Sequence, residues 1–151
     1  MKSPFAFDGV SRDIIEHLQA DGRRSYAAIG KAVGLSEAAV RQRVQRLIET
    51  GAIQIVAVTD PMSLGFRRQA MIGVRCSGDL QQAADALTAM DAIDYVVITA
   101  GSFDLLIEAV CEDDDHLLAI LGQVRALPGV ESTETFVYLK LRKQTYHWGT
   151  R

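Results

Sequence analysis

Apolar residues recur with helical spacing near the start of the chain. Val10, Ile14 and Leu18 follow one another at every fourth position, which predicts a helix over residues 10–20 that ends before Gly22. This spacing places one apolar stripe along the helix. The stripe indicates a helix that packs against neighbours in a small core.

Two further helices are predicted before residue 51, and each begins at a serine. Ser25 is a suitable N-cap for the second helix and Ser36 for the third, because a serine hydroxyl accepts hydrogen bonds from the first-turn amides. Gly34 lies between them, where the end of a helix favours a left-handed residue. The apolar side of the third helix is predicted to consist of Val40, Val44, Leu47 and Ile48. This arrangement is typical of a helix-turn-helix, although a helical hairpin in an ordinary core has the same pattern.

The opposite side of the third helix carries small and hydrogen-bonding residues. Ala38 and Ala39 leave room for the start of the helix to enter a major groove about 12 Å wide. Gln42 and Arg46 have the donors and acceptors to read base edges, and the flanking arginines suit phosphates. The predicted DNA-binding residues are Ser36, Ala38, Ala39, Arg41, Gln42, Arg43, Gln45 and Arg46. A solvated basic face is the alternative interpretation.

Charge is distributed unevenly along the chain, whose formal net charge is -3. Residues 23–46 contain six basic residues and one acidic residue, whereas the chain from residue 61 onward contains eight basic and twelve acidic residues. A basic helical segment followed by an acidic segment indicates two domains with different partners. We therefore predict a DNA-binding domain over residues 1–60, including a linker strand, and a second domain over residues 61–151.

The second domain alternates between strand and helix patterns. The β-rich run at residues 53–59 predicts either the ribbon of a winged helix or the linker strand, and Asp60 and Pro61 then mark the boundary. Strands are predicted at 69–76, 95–100, 105–110 and 130–141, and helices at 80–90 and 115–127. The predicted fold is α+β, an N-terminal winged helix-turn-helix followed by a ferredoxin-like βαββαβ domain. Its sheet has one uncovered face, which predicts a homodimer.

The connection between the two middle strands has the chemistry to hold a small zwitterion. Exposed backbone amides at Gly101 and Ser102 can receive a carboxylate, and the Asp104 carboxylate can pair with an ammonium group. The residues alone favour a plainer alternative, a hairpin turn in which Asp104 binds local backbone.

Several classes of protein are disfavoured by the sequence. His17, His116 and His147 lie far apart, and no GxSxG, P-loop or HExxH motif is present, so neither an enzyme, a metal site nor a cofactor is expected. Cys76 and Cys111 lack CxxC spacing and are expected to stay reduced. The N-terminus has no apolar run long enough for a signal sequence, and no later segment has the roughly 20 apolar residues of a membrane span, so a cytoplasmic location is expected.

Four segments, in order, resemble the Lrp/AsnC family of leucine-responsive or feast-famine regulators. They are RDIIEHLQADGR, YAAIGKAVGLSEAAVRQRVQRLIETGAI, ITAGSFDLLIEA and LPGVESTETFVYL, and together they span nearly the whole chain. The resemblance implies dimers, often four of them in a ring as an octamer, and an effector site at contacts between dimers. The effector-binding residues that it implies are Gly101, Ser102, Phe103, Asp104, Thr133 and Thr135.

The predicted function is therefore a sequence-specific DNA-binding transcriptional regulator whose assembly or DNA affinity responds to a small molecule, an amino acid in the family it resembles. Two alternatives stay open. One is an architectural DNA-binding protein that needs no effector, and the other is an amino-acid-sensing regulatory subunit of a metabolic enzyme.

Overall fold

The computed structural model describes residues 7–151, which form two units. Residues 7–58 and Lys143–Arg151 make a helical unit, and Thr59–Arg142 make a sheet unit. The predicted second domain extends to residue 151, but the last nine residues group with the helices instead. The reason is hydrogen bonding, because Gly149 and Thr150 bind the side chains of Gln19 and Glu16.

The helical unit contains three α-helices, α1 (Gly9–Ala20), α2 (Tyr26–Val33) and α3 (Glu37–Glu49). Both predicted serine caps are present, since the Ser25 and Ser36 hydroxyls accept hydrogen bonds from the amides of Ala28 and Ala39. These caps satisfy amides that have no partner within the helix.

Two glycines shape the turn between α2 and α3. Gly34 has a φ of 74°, the left-handed conformation expected there. A Cβ atom on Gly30 would lie 2.5 Å from the carbonyl oxygen of Leu35, so only glycine fits where the turn passes. The helix-turn-helix predicted from the sequence is confirmed.

The core of the helical unit is formed by Ile14, Ile29, Val40 and Val44, all with no exposed surface. Ile48, predicted on the apolar side of α3, is 39% exposed instead. Successive helical residues are about 100° apart, which puts Ile48 at the edge of the stripe rather than in its centre.

The β-rich run after α3 forms no strand within residues 7–151. Ile53 packs against the helical core, but the apolar side chains that follow it are exposed, Val56 by 69%. The prediction of a ribbon or linker strand at residues 53–59 was therefore wrong for the single chain. A strand needs a neighbouring strand to satisfy its backbone, and no described residue pairs with this run.

The sheet unit has the predicted βαββαβ order. After a 3₁₀ turn at Pro61–Leu64 it consists of β1 (Arg68–Cys76), α4 (Leu80–Thr88), β2 (Ile93–Ile98), β3 (Leu105–Cys111), α5 (Asp114–Ala126) and β4 (Val130–Val137). The spatial order is β2-β3-β1-β4, and every pairing is antiparallel. The ferredoxin-like fold is confirmed, with β2 and β4 at the edges of the sheet.

One face of this sheet packs against α4 and α5. Strand alternation sends Ile72, Val74, Leu105 and Ile107 into that core, where they have no exposed surface. Both cysteines are free, Cys111 buried in this core and Cys76 half-buried beside it.

The opposite face, which we call the open face, has no helix over it within the sheet unit. It carries the side chains that alternate with the core residues, among them Met71, Tyr95, Val97, Leu106 and Phe136. Arg75, Glu108 and Glu134 are charged residues on this face, and the side-chain amide of Gln69 donates a hydrogen bond to Glu108 at 2.5 Å. The open face therefore combines an apolar area with a few charged side chains.

Candidate DNA interface and ligand-binding loop

Helix α3 presents a solvent-exposed face opposite the core. Val40, Val44 and Leu47 are buried, while Gln42 and Arg46, on the other side, are exposed. The remaining predicted DNA-binding residues on α3 are exposed, except Ala39 and Arg43, which are half-buried; Ser36 is the exposed N-cap. The predicted exposure of this face is confirmed.

The polar side chains on α3 differ in whether they form hydrogen bonds or ion pairs within the chain. The Gln45 amide donates to Glu49 at 3.0 Å, and Arg41 pairs with Glu37 at 2.8 Å. Within residues 7–151, the side chains of Gln42 and Arg46 take part in no hydrogen bond or ion pair. These two side chains are therefore the ones on α3 that are most available to an external ligand.

Arg41 is also held by an aromatic ring. Its guanidinium carbon lies 5.2 Å from the centre of the Tyr26 ring, at the start of α2. Such cation–π contacts favour a fixed position for the charge. Arg41 thus presents its positive charge where α2 and α3 meet.

Arg43 is bound to the first turn of α1. Its Nη1 atom donates to Asp8 Oδ1 and Oδ2 at 3.0 and 2.7 Å, and to Ser11 Oγ at 3.0 Å. Hydrogen bonds from Ser11, and then from Arg43, lower the pKa of Asp8 from 3.8 to about 2. Asp8 is therefore ionised near neutral pH and neutralises the charge of Arg43. Asp8 was not predicted to contact α3, because 35 positions separate it from Arg43 in the sequence.

A groove of about 360 Å³ lies beside this pair. Asp8 and Ser11 of α1 line one side, and Gln42, Arg43 and Arg46 of α3 line the other. The groove therefore joins the exposed face of α3 to the start of α1.

The turn at residues 101–104, between β2 and β3, is held by backbone hydrogen bonds. The amides of Asp104 and Thr99 donate to the carbonyls of Val74 and Asp104 at 3.0 and 2.9 Å, and the Thr99 hydroxyl donates to the Phe103 carbonyl at 2.6 Å. Gly101 and Ser102 are exposed at its tip.

Among residues 7–151, the carboxylate of Asp104 has one hydrogen-bond partner. Its Oδ2 atom accepts a hydrogen bond from the Cys76 amide at 2.8 Å, at the end of β1. Within the described residues, Oδ1 accepts none. This geometry agrees with the alternative of a backbone-binding turn and leaves one carboxylate oxygen unpaired.

Phe103 folds from this turn onto the open face. A Cβ atom on Gly73 of β1 would lie 2.7 Å from three carbons of the Phe103 ring, so the ring lies directly on the glycine. Arg75 lies over the same ring at 4.7 Å and donates to the Ser102 carbonyl at 2.9 Å. The Phe136 ring meets it edge-on at 6.2 Å. Gly73 and Arg75 position the turn, and sequence reasoning missed both, since only the strand register brings them to it.

Thr133 and Thr135 do not join this turn within one chain. They pair with Val74 and Ile72 in the register of β4 with β1, so they share the helix-covered face, whereas Phe103 lies on the open face. Thr133 accepts a hydrogen bond from Arg125 at 2.8 Å, and the buried Thr135 hydroxyl has no hydrogen-bond partner in the described residues. The six predicted effector residues are therefore not gathered in a single copy.

Family models match both units of the chain. A model of the AsnC-type helix-turn-helix domain matches residues 7–48, and a model of the Lrp/AsnC ligand binding domain matches residues 69–148. The chain belongs to the Lrp/AsnC family. The predicted family is confirmed, and so is the predicted function as a DNA-binding transcriptional regulator with a ligand-binding domain.

Relatives of this Lrp/AsnC regulator align along most of its length. The HTH-type transcriptional regulator FL11 of Pyrococcus abyssi is 31% identical over 142 residues, which is 93% of this chain and 94% of that protein. The proline dehydrogenase transcriptional activator of Rhizobium radiobacter is 32% identical over 138 residues, or 87% and 88% of the two chains.

Solved structures of the family have the same fold. AsnC of Escherichia coli superposes with a TM-score of 0.79 at 25% identity, covering 94% of this chain and 98% of that one. A transcriptional regulator of Neisseria meningitidis, solved in complex with L-Met, gives a TM-score of 0.77 at 24% identity, covering 92% and 94%.

Two further observations concern membranes and metals. Of the helices formed by residues 7–151, none combines the length and hydropathy that a bilayer crossing requires. Over the same residues, no three His, Cys, Asp or Glu side chains gather closely enough to hold a metal ion.

Proposed function

We propose that this Lrp/AsnC regulator inserts α3 into the major groove of double-stranded DNA, with Gln42 and Arg46 on base edges. The single observation that carries this proposal is that both side chains are exposed on the outward face of α3 and have no internal polar partner among the described residues. Arginine and glutamine make the bidentate contacts that distinguish guanine and adenine in that groove. Small Ala38 allows the approach.

The flanks of α3 contact the phosphate backbone in this proposal. Arg41 and Arg43 supply positive charge, Ser36 and Gln45 supply hydrogen bonds, and half-buried Ala39 lets the backbone come close. Arg43 exchanges Asp8 for a phosphate when DNA arrives, because its ion pair lies at the rim of the groove.

The ligand-binding domain takes an amino acid at the 101–104 turn. Exposed amides at Gly101 and Ser102 suit the carboxylate, and the unpaired Oδ1 of Asp104 suits the ammonium group. The regulator from Neisseria meningitidis was solved with L-Met, which supports this class of ligand. Phe103 lies beside the site, and Thr133, half-buried on the edge strand β4, completes it from a second copy, whereas the Thr135 hydroxyl is buried within its own chain.

The assembly in this proposal begins with a homodimer formed through the apolar area of the open face, and dimers associate further, as in an octamer. The protein is cytoplasmic and is not an enzyme, which agrees with relatives that are transcriptional regulators.

The internal hydrogen bond of Asp104 favours one second candidate, an architectural DNA-binding protein without an effector. The helix-turn-helix over residues 7–48 favours DNA over an enzyme as the partner.

DNA affinity as a function of salt tests the DNA interface. Arg46→Ala should weaken binding to a duplex, and Arg67→Ala, an equal loss of charge in the sheet unit, should not. Equal affinities for the wild type and Arg46→Ala across the salt range would contradict the proposal.

A further inference from the structure

The C-terminal segment differs in charge from the part of the chain that precedes it. Residues 138–151 contain Lys140, Arg142, Lys143 and Arg151 and no acidic residue, whereas residues 59–137 contain four basic and thirteen acidic residues. All four cations are exposed, and none forms an ion pair within residues 7–151. The segment is therefore a strip of unneutralised positive charge.

This segment ends on the DNA-binding unit. Gly149 exchanges two hydrogen bonds with the Gln19 side chain at 3.1 and 3.5 Å, and the Thr150 hydroxyl donates to Glu16 at 2.7 Å. Residues 143–151 thus belong to the unit that carries α3. The charges of Lys143 and Arg151 therefore belong to the unit of the DNA-binding helices, whereas Lys140 and Arg142 belong to the sheet unit.

The docking point lies on a defined side of α1. Gln19 follows Asp8 by eleven residues, which is about three helical turns, so the two share one side of the helix. On that side Asp8 binds Arg43 of α3. The segment is consequently anchored on the side of α1 that contacts the flank of the proposed recognition helix.

Aromatic side chains accompany this charge. Trp148 is 76% exposed, and its ring lies 6.4 Å from the ring of Tyr146. Tyr146 is 44% exposed, so both rings lie at the surface of the segment rather than in a folded core. The neighbouring His147 is exposed as well.

We propose that residues 143–151 form a second DNA contact, a basic arm that binds phosphates of the duplex held by α3. This inference rests on the proposed DNA-binding function and adds a second surface to it. The arm supplies affinity without sequence preference, because phosphate contacts carry no base information. Its anchor on α1 keeps the arm beside the duplex.

The test compares full-length variants in duplex titrations at several salt concentrations. The arm variant is Lys143→Gln and Arg151→Gln together, and Lys143→Gln is compared singly with Arg67→Gln. Removing one phosphate-binding cation should reduce the slope of log affinity against log salt by about 0.9, so the slope of the arm variant should fall by up to roughly 2 units. Arg67→Gln should behave as the wild type.

Trp148 supplies a readout of the arm itself, because it is the single tryptophan of the chain. Duplex DNA should shield Trp148 from acrylamide quenching at low salt and leave it accessible at high salt. An unchanged salt slope in the arm variant overturns the proposal, and so does equal quenching with and without bound DNA. If Arg46→Ala weakens DNA binding and the arm variant does not, only the proposed arm contact is contradicted. If neither variant weakens DNA binding, the proposed DNA-binding function is contradicted as well.

Discussion

Arg43 of α3 donates to both carboxylate oxygens of Asp8, the N-cap of α1, at 3.0 and 2.7 Å. Asp8 also accepts the Ser11 amide at 2.8 Å, so one side chain both caps α1 and ties it to the recognition helix. The orientation of α3 against α1 therefore depends in part on an ion pair at the surface.

Asp8→Asn should lower the melting temperature at neutral pH. Asparagine caps a helix as well as aspartate does, so the substitution removes mainly the charge that faces Arg43. The pKa of Asp8 is lowered to about 2. The charge of Asp8 therefore contributes fully to the stability of the folded protein above about pH 4, and this contribution is lost as the pH falls towards 2. In thermal unfolding experiments between pH 7 and pH 2.5, the melting temperatures of wild type and Asp8→Asn should become equal as the pH is lowered.

Asp13→Asn is the matched control for this prediction, because Asp13 is exposed on α1 and the described residues give it no ion pair. Its effect on the melting temperature should be smaller than that of Asp8→Asn at pH 7. A constant difference between Asp8→Asn and wild type at every pH would show that the charge of Asp8 does not contribute.

Gly73→Ala should displace Phe103, because the added methyl group would lie 2.7 Å from the ring. Overpacking of this kind costs about 1 to 3 kcal/mol of the free energy of unfolding. Gly122→Ala is the control and should raise the free energy of unfolding. A Cβ atom added at Gly122 would meet no atom of another element within 4 Å, and alanine favours the α5 helix. Urea unfolding of both variants checks the prediction, and equal stability of Gly73→Ala and wild type would contradict the packing described for the turn.

Local patterns were sufficient to predict the helices and the strand order. Caps at Ser25 and Ser36 and the left-handed Gly34 depend on neighbouring residues, so they can be read directly from the sequence. The succession of strand and helix patterns after residue 61 likewise indicated the βαββαβ order.

Contacts between distant segments could not be predicted in the same way. The Asp8 and Arg43 pair, the place of Phe103 on Gly73, and the docking of Gly149 on Gln19 all require the tertiary fold. The run at residues 53–59 has high strand propensity, but propensity does not supply a hydrogen-bonding neighbour.

Asp104→Asn separates the two roles of that residue. Asparagine keeps an oxygen for the Cys76 amide, so the free energy of unfolding should remain close to that of wild type. Loss of the charge should weaken amino-acid binding by about one to two orders of magnitude, the equivalent of roughly 1.5 to 3 kcal/mol. Calorimetric titration with an amino acid found by a thermal-shift screen gives the affinity, and an unchanged value would exclude Asp104 from the site.

Phe136→Glu should disrupt the homodimer, because Phe136 is 45% exposed on the open face and a charge there opposes burial. Leu118→Glu is the matched control, since Leu118 is 66% exposed on α5 on the opposite side of the sheet. Sedimentation velocity should give a dimer or larger species for the wild type and Leu118→Glu, and a smaller species for Phe136→Glu. Identical assembly in all three would rule out the open face as the interface.

Selection of binding sites from random duplexes tests the central claim, that the exposed face of α3 reads DNA sequence, most directly. Wild type should select a defined motif, and Gln42→Ala should lose preference at one base pair in each half-site while keeping the others, because a good bidentate contact discriminates by about 1 to 3 kcal/mol. Lys31→Ala, an exposed change on α2, should select the wild-type motif. An identical motif for wild type, Gln42→Ala and Arg46→Ala would contradict the account.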